Sequence, residues 1–280
     1  MKRRLCTAAM AALLMLLLLP VPPTAEVFAP RGSRVELPVI MYHSLVTDDQ
    51  KADAYVCPVS RVERDLQWLR DKGYQPVSAA QLAAFADGTG TLPQKPVLLT
   101  LDDGYRNNLT LLPPLLERYD ACAVIAVVGE YADIYTASGE DGSLHSCMSW
   151  QDVARAAQQP RLELACHSYY FHHLEGRNGS ARKTGEDYAH WQEAFRSDTA
   201  AILQALRQQG AKPLCYAYPF GQITEGADEL LKDLGFRVSL SCSEMRSTVI
   251  SGDPNSLFSL GRYNRDGRWS TEEFMKKLLG

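Results

Sequence analysis

This chain of 280 residues has no C-x-x-C pair, no phosphate-binding glycine loop and no Gly/Pro-rich linker. Gly88 and Gly90 are followed by no phosphate-loop lysine, and Lys183-Thr184 has Arg182 where that motif needs glycine, so nothing points to nucleotide chemistry. Basic residues are not in excess. The 29 Lys and Arg face 33 Asp and Glu, a formal charge of −4 that withholds the basic stripe nucleic-acid backbones require. No histidine follows His190. What remains is ordinary globular composition, 46% hydrophobic and 22% charged, long enough to bury a core without disulfides or metal.

The first residues differ from the rest. Lys2, Arg3 and Arg4 precede an apolar run from Leu5 to Leu19, then Pro20, Pro22, Pro23 and small residues. This order is that of a signal peptide over residues 1–29, and the run is short for a membrane span, so export with cleavage is expected ahead of an uncleaved anchor. The protein is then secreted or held on the extracytoplasmic face of the cell surface, with residues 30–280 as its domain. Beyond Cys6 there are six cysteines, Cys57, Cys122, Cys147, Cys166, Cys215 and Cys242. Four of them lie in or beside apolar runs, which favours buried thiols, while the exported compartment leaves disulfides open.

Seven short apolar runs read as strands: Val39 to Tyr42, Val97 to Leu101, Ala123 to Val128, Leu162 to Cys166, Cys215 to Tyr218, Val238 to Ser241 and Leu257 to Leu260. Helical patterns fall between them, with Ser60 and Ser149 as start signals and a long amphipathic stretch from Glu186 to Gln209 that ends at Gly210. Trp150 and Trp191 fall on apolar helical faces and read as core. Repeated β-then-α order implies one parallel sheet with helices outside, and seven strands favour an incomplete barrel whose chemistry gathers at the carboxyl ends of its strands.

Polar residues sit at those ends. P-V-L-L-T-L runs into Asp102-Asp103-Gly104-Tyr105, where neighbouring carboxylates suit a split of labour between metal binding and titration, or else a helix cap. L-E-L-A-C runs into His167-Ser168-Tyr169-Tyr170-Phe171-His172-His173, which puts half of the six histidines within seven residues. Neutral imidazoles plus a carboxylate make an open, catalytic type of metal site. A third run, Cys215-Tyr216-Ala217-Tyr218-Pro219-Phe220-Gly221, reads as a rigid turn with inward N–H groups and aromatic faces for a sugar.

T-L-D-D-G, H-S followed by His172, and Y-P-F-G, in this order, resemble the polysaccharide deacetylase family (NodB-homology, carbohydrate esterase family 4) over most of residues 35–265. The branch most similar is that of the biofilm poly-N-acetylglucosamine deacetylases. The resemblance implies a distorted (β/α)7 barrel in a single catalytic domain that uses a divalent ion, zinc first with cobalt or nickel as alternatives. It implies Asp102 as general base and Asp103, His167 and His172 as metal ligands, with His173 the rival because the second histidine lies one residue later than usual. It implies the backbone N–H of Phe220 at the developing oxyanion. Tyr105, Tyr218, Pro219 and Phe220 are the candidate substrate-binding residues.

Two departures matter. Ala217 stands where the family carries an arginine, and Arg262, after L-F-S-L-G, is the candidate replacement partner for Asp102. The usual C-terminal histidine motif is missing, and His43, at the end of P-V-I-M-Y, is the candidate general acid, as if the barrel were circularly permuted. The expected function is metal-dependent removal of N-acetyl groups from an N-acetylglucosamine polysaccharide of the cell surface or wall, with release of acetate. Surface poly-N-acetylglucosamine is placed ahead of peptidoglycan. The alternatives are a catalytically inactive glycan-binding member of the fold and an O-acetyl esterase; a two-carboxylate glycosidase is disfavoured because Asp102 and Asp103 are neighbours.

Overall fold

A computed structural model describes residues 29–139 and 145–280, so the leader reading and Cys6 lie outside the described residues. Seven parallel strands form the main sheet: β1 (Val39–Tyr42), β2 (Pro96–Leu101), β3 (Ala123–Val127), β4 (Leu162–Cys166), β5 (Cys215–Ala217), β6 (Val238–Leu240) and β7 (Tyr263–Asn264). Their order is β6-β5-β4-β3-β2-β1-β7, with the two-residue strand Gln75–Pro76 also pairing with β2. The sheet curls into a half-barrel. Leu260 bridges Leu240 of β6 while Tyr263 and Asn264 pair with Ile40 and Met41 of β1, so residues 260–264 connect the two edges.

β1 and β2 are buried throughout, as parallel strands covered on both faces must be. Alternation divides their side chains between two layers. Ile40, Tyr42, Leu99, Leu101, Ile125 and Cys166 belong to the cluster that includes Trp191, Phe195 and Leu206 of the long Tyr188–Gln208 helix. Val39, Leu98, Val124, Ala165 and Ala217 belong to a second, inner cluster shared with Leu82 and Phe85 of the Ala79–Ala86 helix. The period of two carries the second set forward to Met41 and His43, to Thr100 and Asp102, and to His167. Glu163, on the same side of β4 as His167, accepts the backbone N–H groups of Ala79 and Ala80 and so closes the opposite end.

Three expectations need correction. The run Leu257 to Leu260 is not a strand: Pro254–Leu257 is a 3-10 turn, and Ser259 takes a left-handed φ of 56° that breaks extension, its hydroxyl donating to Asp228. The seventh strand is Tyr263–Asn264. Ser60 does not cap its helix, which starts at Val59 after Pro58, whereas Ser149 closes a full capping box. The long helix begins later than expected, at Tyr188, capped by Asp187. All six described cysteines are free thiols, and no described helix is long and apolar enough to cross a membrane.

Candidate active site

The carboxyl ends of β1, β2 and β4 meet around a cavity of about 660 Å³ lined by His43, Asp102, Asp103, His167, His172 and Phe220 among others. Asp102 continues the inward alternation of β2 and is 2% exposed. Its two oxygens receive the fork of Arg262 at 2.7 and 2.8 Å, and the same guanidinium donates to the Ser241 carbonyl at 2.8 Å. Arg262 is itself fully buried, placed there by the segment that joins the sheet's edges. Burial pushes the Asp102 carboxyl up, but the charge of Arg262 first, then His167 and the Arg262 hydrogen bonds, more than offset it and hold it below the usual carboxylate range. Asp102 is therefore ionised at neutral pH.

Asp103 leaves the strand with a left-handed φ of 66°, which turns it away from the direction of Asp102. Its Oδ1 lies 3.5 Å from His167 Nε2 and 3.1 Å from His172 Nε2. Burial raises this carboxyl too, but hydrogen bonding with the two imidazoles brings it well below the ordinary value. Donor atoms of Asp103, His167 and His172 all lie within 4.8 Å of one another, compact enough to share one cation. Each imidazole is held by its other nitrogen. His167 Nδ1 is 2.8 Å from the Ala217 carbonyl and His172 Nδ1 is 2.9 Å from the Tyr131 hydroxyl. With Nδ1 so engaged, each Nε2 is directed at the carboxylate, the arrangement that orients ligating histidines. One oxygen and two nitrogen donors fit a zinc-like ion and leave coordination positions open.

His173, the rival ligand, points elsewhere: its Nε2 lies 2.8 Å from Glu130 and its side chain is half exposed. His43 faces the cavity, its ring edge-on to Tyr55 at 4.8 Å and its buried Nδ1 without a partner. Burial lowers its pKa in spite of Asp103 and Asp102, so the resting imidazole is neutral. Phe220 also takes a left-handed φ, 56°, and its ring packs 4.6 Å from His172. Asp103, Ser168 and Phe220 are thus three non-glycine residues in a conformation that costs roughly 1–3 kcal/mol each, gathered at one site.

The substrate-binding expectations divide. Tyr105 lines the cavity beside Asp103, and burial followed by that charge pushes its phenol up. Tyr218 and Pro219 are corrected: both are buried outside the cavity lining, Tyr218 stacked on Phe195 with its hydroxyl on Asp228. They hold the turn that presents Phe220. Reasoning from sequence missed Tyr55, Cys242 and Asn264 in the lining, and Tyr131 behind His172. Tyr131 lies just past the end of β3, one residue beyond Glu130, and that position was its only signal.

The sequence pattern described as polysaccharide deacetylase matches residues 89–239, more than half of the 280. The chain belongs to that family. The matched stretch contains Asp102, Asp103, His167, His172 and Phe220 and leaves out His43 and Arg262. The chain is 29% identical over 264 residues to the poly-beta-1,6-N-acetyl-D-glucosamine N-deacetylase of Escherichia coli K12, covering 86% of this chain and 38% of that protein. It therefore spans well under half the length of that relative. Among solved structures, a de-N-acetylase from Aggregatibacter actinomycetemcomitans superposes with a TM-score of 0.70 at 22% identity, covering 88% of this chain and all of that one. IcaB from Ammonifex degensii superposes with a TM-score of 0.66 at 23% identity, covering 84% of this chain and 92% of that one. Likeness at this level establishes the fold.

Proposed function

We propose that this polysaccharide deacetylase hydrolyses N-acetyl groups of a poly-β-1,6-linked N-acetylglucosamine polymer outside the cytoplasm. The observation that carries the reading is the cluster of one carboxylate and two oriented imidazoles beside a second, separately anchored carboxylate. The name of the Escherichia coli relative supports the choice of polymer.

A divalent ion held by Asp103, His167 and His172, with zinc the best match to the donors, supplies Lewis acidity toward the amide carbonyl and toward water. Asp102 is then the base. It takes a proton as the water oxygen adds to the acetyl carbon, and the Arg262 fork fixes its plane while that happens. Phe220 offers its backbone N–H to the carbonyl oxygen as negative charge gathers there, a type of contact worth about 2.7–4 kcal/mol. The C–N bond breaks, the acetyl carbon keeps the water oxygen, and the sugar nitrogen gains a proton. His43 is the donor in this reading. Since it rests neutral, it must be charged within the cycle, and the proton that Asp102 takes from water, passed on to His43, both reaches the sugar nitrogen and returns Asp102 to its ionised form.

Arg262 weighs against an inactive glycan-binding member, because the charge missing at Ala217 is supplied from the closing segment. Incubation with β-1,6-linked N-acetylglucosamine oligomers tests the reading. Acetate should be released and free amine formed on the oligomer in equal amounts, with chain length unchanged. Shortened chains, or acetate released only from O-acetylated material, would contradict it.

A further inference from the structure

The loop that carries His167 and His172 has two adjacent histidines at its end, and nothing in an irregular segment decides by itself which of them turns inward. The answer in this fold comes from the Gly129–Ser138 helix. Its first backbone N–H groups are stitched to the loop: Gly129 donates to the Ser168 carbonyl at 3.1 Å and Glu130 to that of Tyr169 at 2.9 Å. The approach is close enough that a Cβ on Gly129 would meet the Tyr169 ring at 2.7 Å. From the far side, the buried Asp198 carboxylate accepts the backbone N–H groups of Tyr169 and Tyr170 at 2.8 and 2.6 Å. The loop is thus clamped between two helices immediately before the histidine pair.

From that turn two neighbouring side chains reach the two neighbouring imidazoles. Tyr131 places its hydroxyl 2.9 Å from His172 Nδ1, and the rings pack edge to face with centroids 5.4 Å apart. Glu130 places Oε2 2.8 Å from His173 Nε2. Of this pair it is His172 whose Nε2 faces Asp103, at 3.1 Å. When His172 ligates through Nε2, its proton must sit on Nδ1, and the Tyr131 oxygen is the acceptor in reach.

We propose that Tyr131 is the positioning residue that makes His172 the second nitrogen donor, while Glu130 beside it keeps His173 out of the site. This rests on the metal reading above and adds to it a residue outside the three donors. The helix does by side-chain selection what the loop's extra residue leaves undetermined.

The test measures Zn2+ affinity by competition with a chromophoric chelator on the full chain. Tyr131→Phe removes one oxygen and keeps the ring, and it should weaken Zn2+ binding about 10- to 100-fold, the usual effect of losing such a partner. His173→Ala should stay within about twofold of wild type, whereas His172→Ala should lose specific binding. In the Zn2+-loaded wild type, the His172 Nδ1–H should give a slowly exchanging nitrogen-correlated NMR signal that Tyr131→Phe abolishes, an effect that looser packing alone would not produce. An unchanged signal or unchanged affinity in Tyr131→Phe overturns the proposal and leaves the metal site standing, as does tenfold weaker binding in His173→Ala. Failure of the wild type to bind Zn2+ overturns both.

Discussion

Replacing Arg262 separates a structural from a catalytic account of the buried pair most cleanly. The guanidinium and the Asp102 carboxylate are at most 3% exposed, joined by two parallel hydrogen bonds of 2.7 and 2.8 Å. In Arg262→Ala the carboxylate stays buried and loses both. Removing one partner of such a pair costs about 3–5 kcal/mol, and two bonds to a charged group at about 1.5–3 kcal/mol each give an overlapping range of about 3–6 kcal/mol. The variant also opens space where residues 260–264 link the sheet's edges, so its folded fraction must be measured by urea unfolding before any rate is compared. Arg262→Lys is the milder change: one ammonium cannot serve both oxygens and the Ser241 carbonyl together. The sign of the pH effect follows from the balance at Asp102. Burial raises this carboxyl and Arg262 is the first of the charges that bring it down, so weakening Arg262 moves the acid limb of kcat/KM to higher pH. Acetate release by Arg262→Lys between pH 4 and 9, normalised to folded protein, is the assay. An acid limb that stays in place, or a stability loss in Arg262→Ala below about 1 kcal/mol, as for an exposed pair, would refute the reasoning.

Three further outcomes are expected. Asp102→Asn should abolish acetate release yet keep one bound ion per chain, whereas His167→Ala should lose both; equal metal loss in the two would put Asp102 among the ligands. His43→Ala should slow turnover by about 10²- to 10⁴-fold with little change in unfolding midpoint, and wild-type turnover would remove His43 from the chemistry. Asp198 gives a stability prediction. Burial pushes its carboxyl up to about 6, against the backbone N–H groups of Tyr169 and Tyr170 that favour the charged form. Because the folded state holds this proton more tightly, its contribution to stability is present at pH 4 and lost as pH rises through 6. Asp198→Asn should therefore gain about 2–3 kcal/mol on wild type between pH 4 and pH 7, on the scale of 1.36 kcal/mol per unit. A gap between the two unfolding midpoints that does not change with pH would count against it.

Much of this site was legible because its chemistry is local in sequence. Asp102 and Asp103 are adjacent, His167 and His172 share one loop, and strand alternation alone directs Asp102 and His167 inward. Arg262 was legible through its place after the last apolar run, even though that run is not a strand: the left-handed Ser259 breaks it. What stayed hidden depends on contacts between distant segments. Tyr218 looks like a sugar platform in sequence, but Asp228, ten residues on, satisfies its hydroxyl and Phe195 covers its ring. The choice between His172 and His173 is made by Tyr131 and Glu130, some forty residues earlier, which no local pattern reveals.

The central claim is that Asp103, His167 and His172 together hold the cation on which deacetylation depends. Titration of Zn2+ into stringently chelated protein, with acetate release from N-acetylglucosamine oligomers followed at each addition, tests it most directly. Activity should be absent at the start, rise in proportion to added ion and level off at one ion per chain, with no recovery in His167→Ala. Full activity before any ion is added, or equal recovery in His167→Ala, would contradict it.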